Sequence, residues 1–166
     1  MKEVDSANYI DVTQFVAKPL YFAMAVNMII PMILLFVCYY VNEHAPFSNR
    51  VGEFANLLFY ILCGLSLVDA GIALWWRSRL WSEKLVTRNE TFEEDLLAAL
   101  VRKMRPIFLI VAAISLYGVL YFFLTARFVE ALFFVIFSFL VFQVVRPREG
   151  MMRKIIAAQR RHLGEN

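Results

Sequence analysis

The sequence predicts an all-α polytopic membrane protein, with four transmembrane helices arranged as two hairpins and short amphipathic helices on the cytoplasmic side. Three observations predict it. The 166 residues are 61% hydrophobic and only 19% charged, more apolar than a water-soluble domain of this size. Four runs are long and apolar enough to cross a hydrocarbon layer, at about 20 residues per crossing. Lys and Arg gather in the segments that this topology places on one side.

The transmembrane domain covers residues 20–145, with spans from Leu20 to Val41, Phe54 to Trp76, Pro106 to Thr125 and Phe128 to Val145. Residues 1–19 form an N-terminal segment, 77–105 a central loop and 146–166 a tail. Asn42 to Glu53 holds Pro46, Ser48, Asn49 and Gly52, and only Ala126 and Arg127 separate the last two spans. Each pair therefore closes as a tight hairpin. Glu3, Asp5 and Asp11 stand where a secretory signal carries positive charge, so the N-terminus reads as uncleaved. A faint internal repeat aligns Phe54, Leu58 and Phe59 with Phe128, Leu132 and Phe133, and each hairpin ends in Arg-x-Arg.

Orientation follows from the basic residues, which stay on the cytoplasmic side. The N-terminal segment, central loop and tail together hold fifteen Lys and Arg, against Arg50 and Arg127 alone on the other side. Both termini are expected inside, in a cytoplasmic (inner) membrane. Trp75, Trp76 and Trp81 at one end of span two, and Tyr39 and Tyr40 at the far end of span one, suit the two membrane boundaries.

The second half of the central loop carries a helix signal. Thr91 and Glu94 have capping-box spacing, Glu93, Glu94 and Asp95 fill a first turn, and Arg102, Lys103 and Arg105 fill a last one. This helix is expected either to lie on the bilayer or to run into span three across Pro106. In the tail, Met151, Met152, Ile155, Ile156 and Leu163 alternate with Arg153, Lys154, Arg160 and Arg161, and Gly164 marks a stop. The tail is expected to lie along the inner surface. Arg77, Arg79, Arg146 and Arg148, with the four tail cations, are the candidate contacts for anionic lipid or a partner.

Few residues suggest reaction chemistry. His44 and His162 lie outside the spans, so the bundle lacks the axial ligands of a membrane cytochrome. No metal cluster, nucleophile elbow or phosphate-binding glycine loop is apparent, and no metal, cofactor or nucleic acid is expected. Cys38 and Cys63 fall within spans and read as packing residues. The sequon at Asn89, Glu90 and Thr91 falls on the cytoplasmic side and reads as idle.

Asp69 is the exception. It lies eight residues before Arg77, about 12 Å into the membrane at 1.5 Å per residue. Ionisable groups at such depth are expensive and face protein or water. Asn27 is nine residues after Lys18 and Ser115 ten after Arg105, so these three form a candidate intramembrane polar site. Asp69 is expected either to bond Asn27 or Ser115 as neutral interhelical glue, or to handle an ion or proton. Gly64 and Gly71 are seven residues apart and share a face, a candidate packing surface pointing about 140° to 160° away from Asp69.

The Gly-Leu-Ser-Leu-Val-Asp-Ala-Gly stretch from Gly64 to Gly71 resembles the carboxylate-bearing helix of the proteolipid subunits of rotary ATP synthases, as does Phe128-Val129-Glu130-Ala131-Leu132. The Gly/Ala-rich first helix of that family is absent here, and its termini lie away from the cytoplasm, so its function is not carried over. Small multidrug transporters share the four spans, but their first-span Glu has no counterpart. These features lead to the expectation of a non-enzymatic accessory or scaffold subunit, joined within the bilayer by a protein partner or a second copy. A small proton- or cation-coupled transporter using Asp69 is the alternative.

Overall fold

A chain surrounded by hydrocarbon must satisfy its backbone N–H and C=O groups internally, and long apolar runs do so as helices. The computed structural model describes residues 12–44, 51–80, 83, 85–86 and 91–162. Pro46, Ser48, Asn49, Trp81, Asn89, Glu90, Leu163 and Gly164 lie outside these. Helix α1 (Val12–Met24) passes through a π-helical turn, Ala25–Ile29, into α2 (Ile30–His44). A short 3-10 turn, Gly52–Phe54, leads into α3 (Ala55–Arg79); α4 (Phe92–Thr125), α5 (Phe128–Val145) and α6 (Glu149–His162) follow. Among the described residues there is no strand, and four helices are long and apolar enough to cross a membrane. The protein is a polytopic all-α membrane protein.

Two of these rods outgrow the spans that hydropathy outlines. The first is helical from Val12, eight residues ahead of Leu20, and passes through Pro19. The central loop is also largely helix: α4 begins at Phe92 and continues through Pro106 without a break. A proline removes one backbone hydrogen bond but already has a helical φ, whereas ending the helix there leaves several groups unpaired. Of the two expectations for this segment, the run-through into span three holds. The N-terminal part of α4 therefore extends about 20 Å ahead of Pro106, where the apolar run begins. At its start, Thr91 Oγ1 donates to Asp95 Oδ2 at 2.6 Å in place of a capping box, leaving no side-chain cap on the backbone.

Helix α4 is the axis of the bundle. Half of its most apolar stretch is buried, against 17%, 22% and 33% in the first, second and fourth spans. It packs on α1, α2, α3 and α5. The approach to α5 is close enough to require glycine at position 118: a Cβ there would stand 2.6 Å from the Ala131 carbonyl oxygen and 2.9 Å from Phe134 Cβ. Ser138 Oγ donates to the Val111 carbonyl at 2.8 Å across the same interface. The chain turns from α4 toward α5 at Ala126, left-handed at φ 58°, whose N–H bonds the Phe122 carbonyl at 2.8 Å.

The largest apolar core extends past the ends of the apolar runs. Leu96, Leu100 and Met104 of the projecting part of α4 join Phe15 of α1, Leu80, Val86 and the α6 residues Met151, Met152, Ile155 and Ile156. This corrects the expectation of a tail lying along the bilayer. Met152 and Ile155 are fully buried and α6 packs on α1. The projecting core supplies an apolar surface that water would otherwise cover, and docking α6 there removes both surfaces from water. Gln159, also fully buried, pins the strand of chain beneath it: its Oε1 accepts from the Leu85 N–H and its Nε2 donates to the Glu83 carbonyl, both at 2.8 Å.

Candidate functional site

The face of α3 turned toward the bundle is marked by Leu62, Ser66, Ala70 and Ala73, all buried. Asp69 sits at the edge of that stripe, half-buried, and receives a hydrogen bond from the Tyr117 hydroxyl of α4 at 2.7 Å. The partner is therefore neither of the two expected. Asn27 is 3% exposed within the π-helical turn, and its Nδ2 donates to the Ala23 carbonyl at 3.1 Å. Ser115 is equally enclosed, and its Oγ donates to the Ala112 carbonyl at 2.7 Å. Both satisfy their donors within their own helical turn, a choice open to short side chains. A tyrosine hydroxyl extends beyond its own backbone and must find an acceptor elsewhere.

Tyr117 escaped the sequence reading although a signal was present. Tyrosine favours membrane boundaries, yet this one stands twelve residues past Arg105, deep in the span. A polar tip at that depth calls for a partner, and Asp69 is at comparable depth.

Three buried polar atoms have no hydrogen-bond partner among the described residues, Arg77 Nε at one end of α3 and, within the bundle, Asn27 Oδ1 and the Tyr121 hydroxyl oxygen. Tyr121 is fully buried among Leu62, Phe134 and Phe59, with the Phe59 ring edge-on at 5.7 Å. The π turn that carries Asn27 packs on α4 and α5, and such turns often mark functional positions in helices.

Gly64 and Gly71 lie on the other side of α3. Both are exposed, and a Cβ built at either meets no atom within 4 Å. Helix α3 thus directs Asp69 at α4, and its glycine face is left uncovered by the described residues.

The eight predicted basic contacts cluster at one end without forming a single patch. Arg79 lies over the Trp75 ring at 5.4 Å from its centroid, and Arg148 Nη2 donates to the Gln143 carbonyl at 3.1 Å. Arg153 reaches Glu149 at 3.9 Å. Arg146, Lys154 and Arg161 are exposed, whereas Arg77 and Arg160 are half-buried. Arg77 Nε has no hydrogen-bond partner among the described residues. Cys38 is buried and Cys63 half-buried, both as free thiols. Among the described residues no three His, Cys, Asp or Glu side chains gather as a metal site. Comparison with protein-family models, with curated proteins and with solved structures finds no match to this chain.

Proposed function

We propose that this chain is a non-enzymatic accessory or scaffold subunit of a larger assembly in a cytoplasmic (inner) membrane, with both termini inside. The bare Gly64–Gly71 face of α3 carries this reading. Without a hydrophobic drive between helices in lipid, close backbone approach is a main source of association, and small residues permit it. A helix that spends its polar residue on α4 and keeps two glycines on the opposite side is suited to a second protein surface.

The test is affinity purification in mild detergent with native electrophoresis of the wild type and of Gly71→Leu. A wild-type species larger than the monomer, reduced to the monomer by Gly71→Leu, supports the proposal. The same size for both proteins defeats it.

A second reading is favoured by the Asp69–Tyr117 pair: a small proton- or cation-coupled transporter with Asp69 as its carboxylate. Proteoliposomes loaded with a pH-sensitive dye separate the two. Proton flux abolished by Asp69→Asn, in protein that remains inserted, would replace the scaffold reading; flux equal to that of empty vesicles would remove the alternative.

A further inference from the structure

Lys18 and Arg105 stand where the apolar runs of the first and third spans begin, two residues before Leu20 and one before Pro106. Arg102 lies about one turn farther out on α4. These three cations line an open cavity of about 640 Å³ between α1 and α4, with Glu94, Leu97 and Val101 on its walls. That volume is within the roughly 300–1,000 Å³ of ordinary ligand sites. Glu94, Leu97, Val101, Arg102 and Arg105 recur at helical spacing, so one face of α4 forms one side of the groove and α1 contributes Lys18. Among the described residues, no carboxylate lies within 4.0 Å of any of the three cations. Three positive charges facing one acid leave the cavity complementary to an anion.

The groove is apolar below its charges. Arg105 is held over the Phe22 ring at 5.5 Å from its centroid, and Phe22 lies one turn below Lys18 on α1. Leu109, one turn below Arg105 on α4, is 54% exposed. A ligand anchored by its anionic group among Lys18, Arg102 and Arg105 thus meets hydrocarbon-facing side chains directly beneath. A phosphodiester with acyl chains matches that order of charge and apolar surface.

We propose that this groove is a binding site for an anionic glycerophospholipid, whose phosphodiester is held by Lys18, Arg102 and Arg105 and whose acyl chains descend past Phe22 and Leu109. Arginine's planar fork suits bidentate contact with phosphate oxygens. The site is separate from the Arg-x-Arg pairs and the α6 cations. It requires only that this end of the bundle meet the headgroup layer, in either leaflet, and is independent of any partner on the α3 glycine face.

Native mass spectrometry of the detergent-purified full chain tests it, with added phosphatidylglycerol, phosphatidylcholine of equal chain length, or inorganic phosphate. Phosphatidylglycerol adducts should exceed phosphatidylcholine adducts, and Lys18→Gln, Arg102→Gln and Arg105→Gln should each weaken them about fivefold, as expected for one interfacial cation. Arg102→Lys, which keeps the charge and guards against a folding artefact, should retain binding within a few-fold, and Arg160→Gln/Arg161→Gln should leave it unchanged. Equal binding of the two lipids, or loss only with the α6 variant, overturns the proposal. So does displacement of phosphatidylglycerol by an equal concentration of inorganic phosphate, which would make this a site for free anions.

Discussion

The Tyr117 hydroxyl donates to Asp69 Oδ2 across 2.7 Å and ties α4 to α3 within the membrane-spanning region. An interhelical bond of this kind contributes about 0.6 to 1.7 kcal/mol in bilayer proteins, because the separated helices also find other partners. A double-mutant cycle with Asp69→Ala and Tyr117→Phe, read as thermal stability in detergent, should give a coupling in that range. Strict additivity of the two variants would mean that the bond adds nothing to the fold.

Position 118 should tolerate no side chain. Gly118→Ala forces a methyl into the Ala131 carbonyl and Phe134 Cβ, and α5 must move to admit it. The expected loss is about 1 to 3 kcal/mol, typical of overpacking. Gly64→Ala, with nothing within 4 Å, serves as control and should leave the isolated monomer unchanged. Equal melting temperatures for Gly118→Ala and wild type would show that the α4–α5 contact is looser than described.

The tail helix should act as a folding element. Gln159→Ala leaves the Leu85 N–H and the Glu83 carbonyl, both part-buried, without their side-chain partner, at about 1 to 2 kcal/mol in all. Faster tryptic cleavage of the loop between α3 and α4 is the expected readout, followed by loss of monodispersity when the chain is truncated at Gly150. A truncated protein as stable as the full chain would return α6 to the role of a peripheral helix.

Topology is open to direct measurement. In a Cys38→Ala, Cys63→Ala background, an impermeant thiol reagent applied to intact cells should label Ser48→Cys and leave Lys84→Cys and Glu165→Cys unlabelled. The basis is the fifteen-to-two distribution of basic residues. Labelling of Glu165→Cys without Ser48→Cys would invert the assignment and move the α6 cations to the other side.

Hydropathy by itself determined the four spans, because crossing hydrocarbon imposes length and composition on a continuous piece of chain and needs no knowledge of its neighbours. The isolation of Asp69 was legible for the same reason: the energetic penalty of a carboxyl at depth depends on its position along one helix. The opposed directions of Asp69 and the Gly64–Gly71 face also followed from the helical repeat alone.

The partner of Asp69 was not legible, since residues at similar depth on different helices are equally plausible until rotation about each axis is known. Tyr117 and Ser115 are two residues apart on α4 and so lie on different faces, and only helix packing selects between them. The tail illustrates the same limit. An amphipathic pattern states that one face will be covered but not by what, and lipid and protein make similar demands on it. Its cover was decided by the core that α1 and α4 raise ahead of their apolar runs, a surface assembled from residues as distant as Phe15, Leu80 and Leu100. That surface exists only after the helices have packed, and this is why the tertiary structure alone could assign α6 to the protein.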